Sequence, residues 1–456
     1  MEKHFELEAQ LKRAIRRHGV PGASLAVFRG KRVVATAAAG VTNVNTQVPV
    51  TTDAVFQIGS ITKVFTATLV MQLVDDGLLA LDTPIIEYLP EFQVADAATR
   101  RAVTARHLLS HTSGIDGDFF ADSGRGDDAI ARLLQMGALL PSLFPLGEKM
   151  SYCNVGFAVL GRLVEVLRRE TFDAAMRRRI FRPLGMNHAI TLPEDVLRHR
   201  CAVGHVPDPK DPKRQLVAPR TYLSHGQKSA GSTPAMSASD LLKFVSAHLD
   251  QGRIARGTRL LSAASVAAMQ RSQVQLPKHA PTGATAWGLG WILYARDGQK
   301  VLGHDGGTIG QYSFLRVSPN KRVAVALLTN GGDAMSVQQE MFGTLFDERI
   351  RAYEPVLPAV NAELALVHEH YLGRYENIQS TVTIDTRGGV LTASLTPKAE
   401  FGQQLEHQQL GFIDRHTARL QTGDPQLDRT RLLFSKPVDG RCPHVQIGLR
   451  QYRRTR

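Results

Sequence analysis

Cysteine is scarce: Cys153, Cys201 and Cys442 are the only three in 456 residues, too few and too scattered for a disulfide framework or a zinc site. They read as reduced thiols, and no metal is expected. No apolar run approaches the ~20 residues that cross a bilayer, so no membrane span is expected. Residues 1–8 hold acids where a signal peptide needs a basic and then an apolar stretch, which makes the cytoplasm the expected compartment. There is no internal repeat and no Gly-x-Ser-x-Gly elbow, which counts against the α/β-hydrolase route. Lys and Arg number 55 against 42 Asp and Glu, an excess of 13, yet the basic spots at 12–17, 177–179 and 450–456 lack interleaved aromatics. Nucleic acid is therefore not an expected partner, and the last of these spots reads as a frayed tail.

What is present is ample for a folded core: 43% of the residues are hydrophobic and 21% charged. The length allows about three domains, or a large one and a small one. Leu7, Leu11 and Ile15 share a helical face, and two strand-like runs at 23–28 and 32–37 flank a turn at 29–31. Phe65, Leu69 and Leu73 predict a helix over 61–77, with further helices near 106–109, 127–135, 155–169 and 240–250. Residues 207–214 are polar and read as a loop. Strands return at 312–317 and 322–328. A hairpin, then helices, then strands predicts one α+β domain whose two ends share a sheet. The domain is expected to span 1–352, with a Pro-marked stretch at 354–358 inside a linker at 353–370. From 371 to 456 the chain alternates in short runs, such as Val445, Ile447 and Leu449, which predicts a small all-β barrel or sandwich.

Three polar elements carry chemistry. Ser60-Ile61-Thr62-Lys63 lies where a strand-like segment enters a helix, and residues three apart on a helix meet on one face. A hydroxyl thus sits beside an amine that becomes a base if burial lowers its pKa. Alone the pattern is weak: Ser318 and Lys321 repeat it in a hairpin turn, and an N-cap serine beside a surface lysine explains it better. Tyr152-Cys153-Asn154, if extended, turns a phenol and an amide to one side. His304-Asp305-Gly306-Gly307 reads as a loop in which glycines let backbone approach a ligand and aim an N–H at an oxyanion.

In this order the three elements resemble the serine β-lactamase and penicillin-binding protein superfamily, and most of all class C β-lactamases, D-aminopeptidases and family VIII carboxylesterases. The stretches 108–114, 183–186, 230–231 with Asp240, and 287–291 are similar to the same family. The resemblance covers roughly residues 10–345, and the segment around Tyr371-Leu372-Gly373-Arg374-Tyr375 resembles lipocalin-like β-domains appended to some members.

The resemblance implies an antiparallel sheet flanked by helices, a helical subdomain, and a serine hydrolase without cofactor. It makes Ser60 the acylated nucleophile, with Lys63 and Tyr152 moving its proton; which of the two is the base stays open. It places Asn154, His304 and Gly306 against substrate, and the N–H groups of Ser60 and Gly307 in the oxyanion hole. The expected substrates are small esters, amides or peptides. A carboxylesterase-like activity leads, with a D-aminopeptidase, another peptidase or a weak β-lactamase as alternatives, and a non-catalytic binding relative as the alternative of another class. Many members have Lys-Thr-Gly where this chain has His304-Asp305-Gly306. A histidine, mostly neutral at pH 7 and partly charged near 6, lacks the fixed charge that holds a substrate carboxylate, so neutral esters are expected to be preferred. Oligomeric state is open, with a homo-oligomer admitted.

Overall fold

The computed structural model describes residues 2–254, 257–280, 283–296, 298–345, 359–361, 364, 369–398, 404–424 and 427–455. The Pro-marked stretch at 354–358 lies outside the described residues. Helix α1 (Glu2–Arg17) leads into strands β1 (Gly22–Arg29) and β2 (Arg32–Gly40). The chain then leaves the sheet for a helical region containing α2 (Thr62–Asp75), α3 (Asn154–Arg168) and α4 (Ala238–Leu249). It returns through β3 (Val274–Gln275), β4 (Ala286–Trp287), β5 (Ile292–Arg296), β6 (Gln299–Gly307), β7 (Tyr312–Ser318) and β8 (Val323–Thr329), followed by α5 (Ala334–Leu345). The sheet order is β2-β1-β8-β7-β6-β5-β4-β3, antiparallel throughout, so the first strands of the chain pair with the last of this domain.

Strand periodicity divides the core in two. Leu25, Val27, Val325 and Leu327 face α1 and α5, whereas Ala26, Phe28, Ala326 and Leu328 face α4 and the helical region. Each large apolar side chain buried in this way contributes about 1.5–3 kcal/mol. The expected helices and hairpins are present. Within this domain two expectations fail. Residues 207–214 lie in a two-stranded hairpin (His205–Asp208 with Asp211–Val217), not a loop; its outer strand is largely exposed and therefore polar. His304 to Gly307 form the end of β6 rather than a loop.

Eight further strands close an antiparallel barrel: β9 (Gly373–Glu376), β10 (Ser380–Arg387), β11 (Val390–Pro397), β12 (Leu405–Asp414), β13 (Thr417–Gln421), β14 (Arg431–Phe434), β15 (His444–Ile447) and β16 (Arg450–Arg454). Its interior is packed with Tyr371, Tyr375, Phe412 and Phe434, so it is a core and not a container. The basic segment expected to fray is instead β16: the Arg454 guanidinium is held by the carbonyls of His370 and Leu372 and by the Tyr375 hydroxyl. The two parts are docked. Tyr152 N–H donates to the Leu449 carbonyl (2.8 Å), Gln451 N–H to Ser151 Oγ (3.1 Å) and Ile378 N–H to Asp116 Oδ2 (2.7 Å). Among the described residues no helix is long and apolar enough to cross a membrane.

Candidate active site

A 3-10 turn, Gly59–Ile61, carries Ser60 into α2. Gly59 has φ +49°, and a Cβ there would sit 2.6 Å from the Gly307 nitrogen. Only glycine lets the turn lie so close to the end of β6, which brings the backbones of Ser60 and Gly307 to one cleft. Gly306 obeys a similar constraint, since a Cβ on it would meet the Ile58 carbonyl at 2.0 Å. Ser60 does not cap α2, which has no side-chain cap.

Lys63 lies one turn on and is completely buried. Its Nζ is 2.7 Å from Asn154 Oδ1, 2.7 Å from the Ala230 carbonyl and 3.2 Å from Ser60 Oγ. Burial pulls its pKa from the ordinary lysine value down to about 7; the negative charge of Asp118 works against this, and Arg450 adds to it. At neutral pH a large fraction is therefore free amine, which has two N–H groups and one lone pair. The two short contacts take the N–H groups, and the longer one leaves the lone pair facing the Ser60 hydroxyl, which then donates to it. A buried lysine in this state can accept a proton from the serine.

Asn154 is the first residue of α3, and Cys153, in extended backbone between it and Tyr152, caps the helix by accepting from the Gly156 N–H at Sγ. The phenol ring centroid lies 4.7 Å from Lys63 Nζ. Its hydroxyl is buried without a hydrogen-bond partner. Burial raises the phenol's pKa, with the neighbouring Ser60 hydroxyl pulling the other way. Asn154 is oriented by its neighbours: Oδ1 accepts from Lys63, and Nδ2 donates to Asp118 Oδ1 at 2.6 Å. His111, in the 108–114 stretch, stacks on Tyr152 at 4.4 Å between centroids, and its Nδ1 accepts from the Cys153 N–H at 3.0 Å.

His304 is buried, and its Nδ1 lies 2.7 Å from the Asp305 carbonyl. A carbonyl only accepts, so Nδ1 carries the proton and Nε2, which has no partner, is an acceptor. Burial, reinforced by Lys63, lowers the pKa to about 3. The expected partial charging near pH 6 therefore does not occur.

Ser60, Tyr152, His304, Gly306 and Gly307 border one cavity of about 500 Å³, and Lys63 and Asn154 lie behind its floor. All seven residues singled out from the sequence thus meet. Two neighbours were missed. Arg450, at the tip of the β15–β16 hairpin, enters the cavity wall, with its guanidinium 5.0 Å from the Tyr152 ring centroid. Its Nε–H donates to Asp118 Oδ2, and 38% of its side chain remains exposed. Leu449, expected to continue the alternation of Val445 and Ile447, instead lies with Gly448 in the two-residue hairpin turn that presents Arg450. Asp118 left no local signal.

Residues 7–345 match the family model described as Beta-lactamase. Penicillin-binding protein 4 of Amycolatopsis lactamdurans is 46% identical over 350 residues, covering 76% of this chain and 90% of that protein. The crystal structure of SurE superposes with a TM-score of 0.81 at 26% identity, over 100% of this chain and 99% of that one; a second structure of SurE contains D-Leu. The D-amino acid amidase of Ochrobactrum anthropi SV3, at 23% identity, 77% of this chain and 99% of that one, has a TM-score of 0.61 and shares the fold.

Proposed function

This chain belongs to the β-lactamase family and is a serine hydrolase; from that premise we propose that it cleaves ester or amide bonds through an acyl-enzyme on Ser60. The observation that carries the reading is the fully buried Lys63 amine, 3.2 Å from Ser60 Oγ and 2.7 Å from each of two other acceptors, Asn154 Oδ1 and the Ala230 carbonyl. Ser60 Oγ attacks the carbonyl carbon as its proton passes to Lys63. The carbonyl oxygen gains the charge, opposite the N–H groups of Ser60 and Gly307. Tyr152, buried beside Ser60, gives its own phenolic proton to the leaving amine or alcohol as the C–N or C–O bond breaks, and the proton held by Lys63 restores the phenol. Water then attacks the acyl carbon as its proton passes to the same pair of groups; the bond from Ser60 Oγ to the acyl carbon breaks, the proton returns to Ser60 Oγ, and the acid leaves. The three unpaired thiols fit a reducing compartment, and the proposal places the enzyme in the cytoplasm.

The test is turnover of a p-nitrophenyl acyl ester together with the mass of the acylated protein. Ser60→Ala should lose both, by several orders of magnitude in rate. A variant that keeps more than a few per cent of the activity overturns the assignment.

A second reading concerns substrate. The lack of a lysine at 304 argues for neutral esters, but Arg450 brings a permanent cation to the same cleft, beside an apolar wall of Trp287, Ile292, Phe314 and Leu449. An apolar residue with a free carboxylate suits this pairing. The D-Leu in the related SurE structure has both features, so peptides ending in a D-residue join esters as proposed substrates. Matched D- and L-leucyl amides and peptides, each with and without a free carboxylate, separate the two readings.

A further inference from the structure

The hydrogen-bond chain that begins at Lys63 does not end within the hydrolase domain. Lys63 Nζ donates to Asn154 Oδ1, Asn154 Nδ2 donates to Asp118 Oδ1, and Asp118 Oδ2 accepts from Arg450 Nε on the barrel. Asp118 is buried, and a second barrel residue, Gln379, donates to its backbone carbonyl. Next to it, Asp116 accepts from the barrel's Ile378 N–H. The carboxylate behind the catalytic amine is thus clasped on its far side by the barrel. An unpaired carboxylate there would hold Lys63 as an ammonium; paired with a guanidinium, it largely loses that influence.

We propose that Arg450 and Asp118 are positioning residues, and that the barrel, by neutralising Asp118, keeps Lys63 able to accept the Ser60 proton. The inference deepens the proposed mechanism and rests on it only for its consequence in turnover. The side chains and carbonyls that touch Lys63 are uncharged. Tyr152 and Phe157 present ring faces, and Ser60 and Ala230 present oxygens. The Cys153 thiol is pushed up to about 12 by burial, His111 and His304 are held neutral by burial, and Asp116 is raised by burial to about 7. Beyond His304, Asp305 is paired with Arg316 at 2.5 Å. The Asp118–Arg450 pair is therefore the charge pair facing Lys63.

The direction of each effect follows. Arg450→Met keeps the bulk over the Tyr152 ring and exposes Lys63 to an uncompensated carboxylate, so its titration midpoint rises. Asp118→Asn leaves Asn154 an oxygen to donate to and leaves Arg450 unopposed, so the midpoint falls. The double variant returns close to the native value. Shifts of about one pH unit are expected, which is about a tenfold change in kcat/KM for a neutral ester at pH 6.

The midpoint is read directly in the full-length protein from the Cε carbon signal of Lys63 by NMR, identified by its loss in Lys63→Arg; this needs no substrate. The acidic limb of the kcat/KM profile is the second readout. Opposite shifts in the single variants, cancelling in the double, support the proposal. An unmoved Lys63 midpoint overturns it, whether Arg450→Met raises only the KM of carboxylate substrates (a substrate anchor) or lowers kcat equally at every pH (a structural wall). Normal titration shifts without turnover or Ser60 acylation would instead overturn the function proposed above and leave this inference standing. Should Arg450→Met fail to fold, Arg450→Gln, which also removes the charge, and Asp118→Asn decide by the same shifts.

Discussion

Replacing Lys63 by methionine should make stability less dependent on alkaline pH. In the unfolded chain a lysine titrates near 10.4, whereas burial brings Lys63 down to about 7 in the fold. Between these values the unfolded state binds a proton that the folded state does not, so native stability rises with pH across that window and is lost as pH falls toward 7. The slope is about 1.36 kcal/mol per pH unit for one proton, or about 2 kcal/mol between pH 7.5 and 9. Methionine has no such proton. Its absolute effect is a contest: relief of the desolvated amine against two orphaned acceptors, Asn154 Oδ1 and the Ala230 carbonyl, each costing about 1–3 kcal/mol. Those terms nearly cancel, but the pH slope does not, and other titrating groups are common to both proteins. The assay is urea unfolding of native and Lys63→Met protein at pH 7.5 and 9, with the difference in unfolding free energy taken at each pH. It should change by about 2 kcal/mol. A difference that stays constant within half a kcal/mol would falsify the buried free amine, and with it the proton acceptor assigned to Ser60. Turnover follows the same group: kcat/KM of the native protein should fall about tenfold per pH unit below 7.

Tyr152→Phe keeps the ring beside Lys63 and removes the unpartnered hydroxyl, so kcat should fall roughly 10²–10⁴-fold while KM changes little; a change in KM alone would make Tyr152 a wall of the pocket. Ser318→Ala, on the repeat of the Ser-x-x-Lys spacing in a strand away from the cleft, should leave steady-state rates unchanged. His248 is buried against Thr68 with its pKa lowered by burial to about 3; from pH 6.5 downward the unfolded state takes up a proton that the fold refuses, and native stability drops. His248→Gln should remove about 1.36 kcal/mol per pH unit of that loss, seen as a shallower fall of the urea midpoint between pH 6.5 and 4.5. An equally steep fall would mean that the imidazole is protonated in the fold.

The parts of the site that the sequence made legible are those joined by short separations. Ser60 and Lys63 are one helical turn apart, Tyr152 and Asn154 flank a helix start, and His304 with Gly307 ends a strand; each element is readable because its geometry is local. Asp118 and Arg450 are not, because they meet across 332 positions through the docking of two separately folded layers. The tail at 450–456 misled through composition: strand β16 carries arginines because one edge of the hairpin faces a carboxylate and the other the barrel's carbonyls. The polar stretch at 207–214 misled in the same way, since a hairpin standing in solvent has no apolar face to report.

The sheet order also bears on how the molecule is made. β1 pairs locally with β2 but finds its other neighbour only in β8, with Ala23 opposite Thr329, so the sheet cannot close until the intervening helical region has been brought round. Such distant pairings are slow because the loop entropy is lost before any contact repays it. The cleft lies later still, for its wall is the β15–β16 hairpin. In refolding from urea, helical signal should return first, sheet burial of the tryptophans next, and hydrolytic activity last, as the hairpin seats itself against Tyr152.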